Sequence, residues 1–122
     1  MKVTVLTGKY AGVTRDISTT DAPAILISLA RDNVKWRCCP DPNTDPQDLF
    51  EWTRIDLAAR CVSALMHGRS VTFMGEVYRA TADTLELAVG YIEDEIVNSG
   101  KNIFVEKDDE DGVVIAVHSN EQ

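Results

Sequence analysis

The sequence predicts an α+β fold in which antiparallel β-hairpins pack with two α-helices. Two observations support this class: β-branched runs that end at glycine turns, and helical patterns at about 46–67 and 84–98. The resulting order, β-rich–helix–hairpin–helix–hairpin, lacks the regular alternation of strand and helix that a parallel sheet requires. A chain of 122 residues is also the usual size of one domain. We therefore expect residues 1–122 to form a single compact domain.

The chain begins with a predicted hairpin. The β-branched runs "KVTVLT" and "GVTRDIS" are joined by "GKYAG", which has a glycine at each end of the loop. Residues 3–17 also resemble the KOW element of some ribosomal and transcription-elongation proteins, a hairpin of a small β-barrel, in having two glycines at similar spacing. The chain lacks the basic composition around that element, so the nucleic-acid role of the family is not carried over.

Residues 21–33 admit two interpretations. Pro23 behind Thr20 or Asp21 is typical of a helix start, and Asn33 is a plausible stop. The run "ILISL" is equally suited to pair with "VKWRCC" as a second hairpin. Because apolar and charged residues alternate in the latter run, we favour the strand by a small margin and leave the helix open.

The helix predicted at about 46–67 has clear ends. Asp45 can cap it, Pro46 suits its first position, and Gly68 is a typical terminator. Apolar residues cover most of its circumference, which is a wider arc than one sheet can bury. The remaining polar stripe comprises Thr53, Asp56, Arg60, Ser63 and His67. We expect this helix to be covered on two sides, and we favour a homo-oligomer for that reason.

A hairpin, a helix and a second hairpin are predicted after Gly68. The first turn falls at about Gly75–Glu76. Asp83 and Glu86 predict a capping box for the helix at 84–98, which Gly100 would end. The closing hairpin, "NIFVEKDDEDGVVIAVHS", turns through acidic residues that end at Gly112.

The net charge of −8 is concentrated in one part of the chain. Residues 1–80 hold ten Lys/Arg and nine Asp/Glu, whereas residues 81–122 hold two Lys and eleven Asp/Glu. Direct nucleic-acid binding is therefore disfavoured, since binding to phosphate depends on excess cations. An acidic face that docks on a basic protein partner is the alternative that this distribution suggests.

No cofactor, metal or catalytic residue is predicted. Asp41, Asn43 and Asp45 follow the start of a calcium loop, but the sixth position holds Pro46 instead of glycine and the twelfth holds Trp52 instead of glutamate. Adjacent Cys38 and Cys39 on a strand point to opposite faces, and we expect both, with Cys61, to be packing residues. Cys39 with His118 is the one nucleophile pair that the linear sequence leaves open, and a metal- or thiol-dependent enzyme is kept as a further alternative.

The most suggestive binding feature is the "GKYAG" loop, whose amides, cation and ring are suited to a phosphate or a base. Two strands also place an aromatic residue next to an arginine, and alternation puts each ring and the neighbouring cation on opposite faces. If these strands line an oligomer cleft, Arg37 and Arg79 can each bind an anion through two hydrogen bonds. The predicted ligand-binding residues are Lys9, Tyr10, Arg15, Trp36, Arg37, Tyr78 and Arg79.

The sequence therefore predicts a non-enzymatic binding protein that sequesters an anionic, nucleotide-like small ligand or inhibits a partner. Its size and charge are those of small phage or mobile-element accessory proteins, by analogy alone. The longest apolar run, "APAILISLA", is too short to cross a bilayer, and no secretory signal is evident. Three cysteines without CxxC spacing favour the reducing cytoplasm.

Overall fold

The computed structural model describes residues 1–96, 98 and 102–117, and it confirms the α+β class. Three helices and seven strands occur in this part of the chain. The helices are α1 (Ala22–Arg31), α2 (Pro46–Met66) and α3 (Leu85–Glu95), and the strands are β1 (Lys2–Val5), β2 (Thr14–Asp16), β3 (Trp36–Cys39), β4 (Ser70–Phe73), β5 (Glu76–Tyr78), β6 (Ile103–Asp109) and β7 (Gly112–Val117).

The chain divides into two compact units, residues 1–59 (unit 1) and 60–122 (unit 2), and the boundary falls inside α2. Each unit has one sheet: β2-β1-β3 in unit 1 and β5-β4-β7-β6 in unit 2. That the chain behaves as one domain stays a prediction.

Residues 22–31 form a helix, so the preference for a strand at 21–33 was wrong. Ala22, Leu26 and Ala30, each four residues apart, are fully buried and form one face of α1. Pro23 occupies the first turn, and Asn33 takes a left-handed conformation with a φ of 55° just after the helix. The apolar run "ILISL" is thus explained by a buried helix face, because a short apolar run does not by itself distinguish a helix from a strand.

The strand predicted next to that segment does form, with a different partner. β3 pairs antiparallel with β1, with Val5 opposite Trp36 and Val3 opposite Cys38. The predicted hairpin of β1 and β2 is confirmed, with Val3 opposite Arg15. The core of unit 1 gathers side chains from the sheet and from both helices, and its largest members are Leu26, Trp36 and Trp52.

Helix α2 has the predicted start and ends one residue early, at Met66. The Asp45 carboxylate accepts the backbone N–H of Gln47 at 2.8 Å, as expected of a capping residue. Residues 61–65 are buried on all sides of the helix within the single chain. The wide apolar arc therefore needs no second subunit there, although Leu49 and Phe50 at the start of α2 are each 39% exposed. Self-association stays a prediction.

The sheet of unit 2 departs from the antiparallel expectation at one ladder. β4–β5 and β6–β7 are the predicted antiparallel hairpins, but β4 and β7 pair in parallel, so this sheet is mixed. The first hairpin turns at Met74–Gly75, one residue earlier than predicted. Both turn residues have positive φ angles, 51° and 84°, as a two-residue turn requires.

Helix α3 is shorter than the predicted 84–98, and its N-cap is Thr84. The predicted capping box of Asp83 and Glu86 was wrong, because the residue three positions after the N-cap is Leu87. The Thr84 hydroxyl instead accepts the backbone N–H of Thr81 at 2.9 Å. The predicted stop at Gly100 lies outside the described residues. Within the described part of the chain, no helix has both the length and the apolar composition needed to cross a membrane.

Candidate ligand-binding cleft

Unit 1 contains a cleft of about 340 Å³ between one face of its sheet and helix α1. This volume is within the range of small-molecule sites. Alternation along β1 and β2 places every second side chain on the cleft side, and α1 contributes two side chains one turn apart. The lining residues are Val3, Val5, Tyr10, Val13, Arg15, Ile17, Ile25 and Leu29.

The cleft is apolar except for one phenol and one guanidinium. Val3 and Ile17 are buried, whereas Val13 and Ile25 are 39% and 37% exposed, so apolar surface is open to a ligand. Arg15 is directly opposite Val3 across the ladder, which places it on the same face of the sheet. Within residues 1–96, 98 and 102–117, no carboxylate or other hydrogen-bond acceptor pairs with its exposed guanidinium.

The loop between β1 and β2 adds a ring and a second cation. Tyr10 is 63% exposed, and the Lys9 ammonium lies 5.6 Å from the centre of its ring. The loop is closed by hydrogen bonds from the Gly12 N–H to the Val5 carbonyl at 2.7 Å and from the Val13 N–H to the Tyr10 carbonyl at 3.0 Å. Three of the predicted binding residues, Lys9, Tyr10 and Arg15, thus lie together.

Trp36 and Arg37 do not join them. The Trp36 ring is buried in the core, and its indole N–H donates to the Asp56 carboxylate at 2.8 Å. Arg37 is opposite Thr4, whereas Arg15 is opposite Val3, so the two arginines project from opposite faces of the same sheet. The alternation of side chains along a strand therefore separates Arg37 from Arg15.

Tyr78 and Arg79 belong to unit 2. Arg79 is exposed just after β5, and the Tyr78 hydroxyl donates to the Glu76 carboxylate at 2.8 Å. The rings of Tyr78 and Tyr91 have centres 5.4 Å apart. The pKa of Tyr78 is raised, first by the interaction of Tyr78 with Tyr91 and next by its hydrogen bond to Glu76. Tyr78 therefore stays a neutral phenol around pH 7.

Sequence reasoning missed the helical wall of the cleft. Ile25 and Leu29 lie four residues apart on α1, and this spacing was the signal for a shared helix face. It was overlooked because the segment was interpreted as a strand.

The cysteines and the acidic loop form no reactive constellation in the described part of the chain. The Cys38 thiol donates to Asp56 at 3.5 Å, Cys61 is buried, and none of the three cysteines, all of them described, forms a disulfide. No group of three His, Cys, Asp or Glu side chains there is placed to hold a metal ion. His118, the predicted partner of Cys39, lies outside the described residues.

No protein-family model matches the chain, and no curated protein or solved structure shows a significant similarity to it. Function is therefore inferred from the chemistry of the cleft itself.

Proposed function

We propose that this protein is a non-enzymatic binding protein that holds an anionic small molecule in the cleft of unit 1. The observation that carries the proposal is the Arg15 guanidinium, which lies beside an apolar cleft and has no ion-pair or hydrogen-bond partner among the residues that the structure describes. A ligand with an apolar body and one anionic group satisfies both parts: its body covers the aliphatic wall, and its anion accepts hydrogen bonds from the arginine. Lys9 supplies additional positive charge beside the loop.

The lining indicates which anions fit best. The described lining residues include no side-chain amide and no carboxylate, and their polar side chains are only Tyr10 and Arg15, so a nucleotide base would lose more hydrogen bonds to water than the cleft replaces. An aryl or acyl body has no such groups to desolvate. We therefore expect an aryl phosphate or a medium-chain carboxylate to bind more tightly than a nucleotide, with Tyr10 stacking on an aryl ring.

Assembly and compartment are extensions of the same proposal. Self-association is supported by the exposed Leu49 and Phe50 at the start of α2. A cytoplasmic location is supported by three described cysteines that form no disulfide with one another. The acidic turn between β6 and β7 supports, as a second candidate function, docking to a basic protein partner.

The test is a two-dimensional NMR titration of the protein with 2-naphthyl phosphate, 2-naphthol and AMP. We expect saturable amide shifts in residues 3–17 and 25–29 with the aryl phosphate, and weaker binding of the other two ligands. Arg15→Gln removes the anion contact and should weaken binding about five- to tenfold, the equivalent of about 1–1.4 kcal/mol for an exposed charged hydrogen bond. Arg37→Gln is the matched control, because it removes the same charge from the opposite face of the same sheet.

If Arg15→Gln and Arg37→Gln weaken ligand binding equally, the affinity depends only on the net charge of the protein, and the proposal fails. It would also fail if 2-naphthol bound as tightly as its phosphate, because the arginine would then contribute nothing.

A further inference from the structure

A second cleft, in unit 2, is lined by aromatic rings and carboxylates. It has a volume of about 360 Å³ and lies between the β4–β5 hairpin and the C-terminal end of α3. Its lining residues are Phe73, Met74, Glu76, Tyr78, Tyr91, Glu95 and Ile96.

The local structure brings two rings and two carboxylates to one place. Glu76 and Tyr78 are two residues apart on β5, so they project from the same face of that strand. Tyr91 and Glu95 are four residues apart on α3, so they lie on the same side of that helix. Each element therefore contributes one phenol ring and one carboxylate to the cleft.

The two rings are arranged so that one ligand group can contact both. Their centres are 5.4 Å apart and their planes are inclined by 39°. The ring centres are close enough for one cation to lie within ~6 Å of both, the distance over which an aromatic ring attracts positive charge. Tyr91 is 47% exposed and Tyr78 is partly exposed, so both rings are accessible from solvent.

The charge of this cleft is uniformly negative. Neither Glu76 nor Glu95 has a cationic partner among the residues that the structure describes, and no Lys or Arg is among the lining residues. A compact ammonium or a metal ion is strongly hydrated, and the apolar side chains of Met74 and Ile96 cannot replace that hydration. In a quaternary ammonium the charged nitrogen is surrounded by methyl groups. The methyl groups can pack against apolar side chains, while the positive charge is attracted to aromatic rings and carboxylates.

We propose that the cleft of unit 2 binds a quaternary ammonium group through Tyr78, Tyr91, Glu76 and Glu95. The group is carried either by a free small molecule or by a trimethylated lysine of a peptide. This site is independent of the anion-binding cleft of unit 1, and its ligand has the opposite charge.

The first experiment compares a cation with its neutral isostere. Choline and 3,3-dimethylbutan-1-ol have the same shape, but only choline is charged. In NMR titrations at constant ionic strength, we expect choline to give saturable shifts in residues 74–78 and 91–96, and the alcohol to bind at least threefold more weakly. Parallel titrations with a peptide that contains trimethyllysine, and with its unmethylated form, distinguish the two sources. The tighter binder of choline and the methylated peptide identifies the carrier.

Two matched pairs of variants separate the ring and the charge from nonspecific effects. Tyr91→Leu should weaken choline binding about two- to fivefold, the usual range for one exposed cation–ring contact, whereas Tyr91→Phe should retain it. Glu95→Gln should weaken binding more than Glu93→Gln, which removes the same charge from an exposed position of the same helix outside the cleft.

The proposal is overturned if the alcohol binds as tightly as choline, or if the two glutamate variants have equal effects. It is also overturned if choline and the methylated peptide both leave these amides unshifted. The spectra report folding directly, and the comparison of the two ligands on the wild-type protein does not depend on any variant.

Discussion

Replacement of Asp108 by asparagine is expected to destabilise unit 2 strongly. Asp108 lies on β6, where one carboxylate oxygen is 2.9 Å from the Arg60 guanidinium and the other is 3.7 Å from that of Arg69. All three side chains are only 12–16% exposed. Arg69 is also held by Ser63 Oγ at 3.0 Å and by the Asp109 carbonyl at 3.3 Å. One carboxylate therefore contacts two largely buried cations.

The magnitude follows from this burial. Removal of one partner from a buried ion pair costs about 3–5 kcal/mol, because the remaining charge is left uncompensated. Asparagine still accepts one hydrogen bond, and the side chains retain some contact with water. We therefore expect Asp108→Asn to lower the free energy of unfolding by about 2–3 kcal/mol.

Asp109→Asn is the matched control, because it removes the same charge from the next residue. Asp109 pairs with Lys107 at 3.0 Å, but these side chains are 40% and 55% exposed, so solvent screens the pair. We expect this substitution to lower the stability at neutral pH much less than Asp108→Asn does.

The assay is urea unfolding, followed by far-UV circular dichroism and by tryptophan fluorescence. Both tryptophans, Trp36 and Trp52, lie in unit 1, so fluorescence reports that unit alone. If the chain is one domain, as the sequence predicts, Asp108→Asn shifts both transitions together. A shift in the dichroism alone would show that the units unfold separately. Equal stabilities of the Asp108 and Asp109 variants would refute the reasoning from buried charge.

Two further predictions concern glycines and pH. Gly112→Ala should lower the free energy of unfolding in urea by about 2–4 kcal/mol, because Gly112 has a φ of 146° and an added Cβ would overlap the Ser70 carbonyl oxygen. Gly90→Ala, which places its Cβ in open space on α3, should instead raise the free energy of unfolding by about 0.5–1 kcal/mol. A decrease for Gly90→Ala would contradict the helix assignment. The hydrogen bond and charge of Lys107 lower the pKa of Asp109 in the folded protein. The stability that this carboxylate contributes is therefore present above about pH 4, the pKa of an aspartate in the unfolded chain, and is lost as the pH falls through the folded pKa. The difference between wild type and Asp109→Asn should therefore shrink in acid, and a difference that grows there would reverse the assigned sign.

The elements with strong local signals were predicted from the sequence. Helix α2 begins at Pro46 because proline suits a first turn and Asp45 can cap it, and these effects need no distant contact. The hairpins β1–β2 and β6–β7 follow in the same way from β-branched runs around short turns. The separation of Trp36 from Arg37 was also determined locally, since adjacent residues of a strand face opposite sides.

The sequence by itself thus determined the class of fold and most of its elements. It also predicted seven binding residues, of which the structure places Lys9, Tyr10 and Arg15 together, and their role stays a prediction. Tertiary packing decided the rest. It made 22–31 a helix by burying Ala22, Leu26 and Ala30 together, and it paired β4 with β7 in parallel across some forty residues of chain. The cleft beside Arg15 exists because α1 places Ile25 and Leu29 opposite the hairpin. A local pattern can specify which residues share a face, but only packing specifies what that face meets.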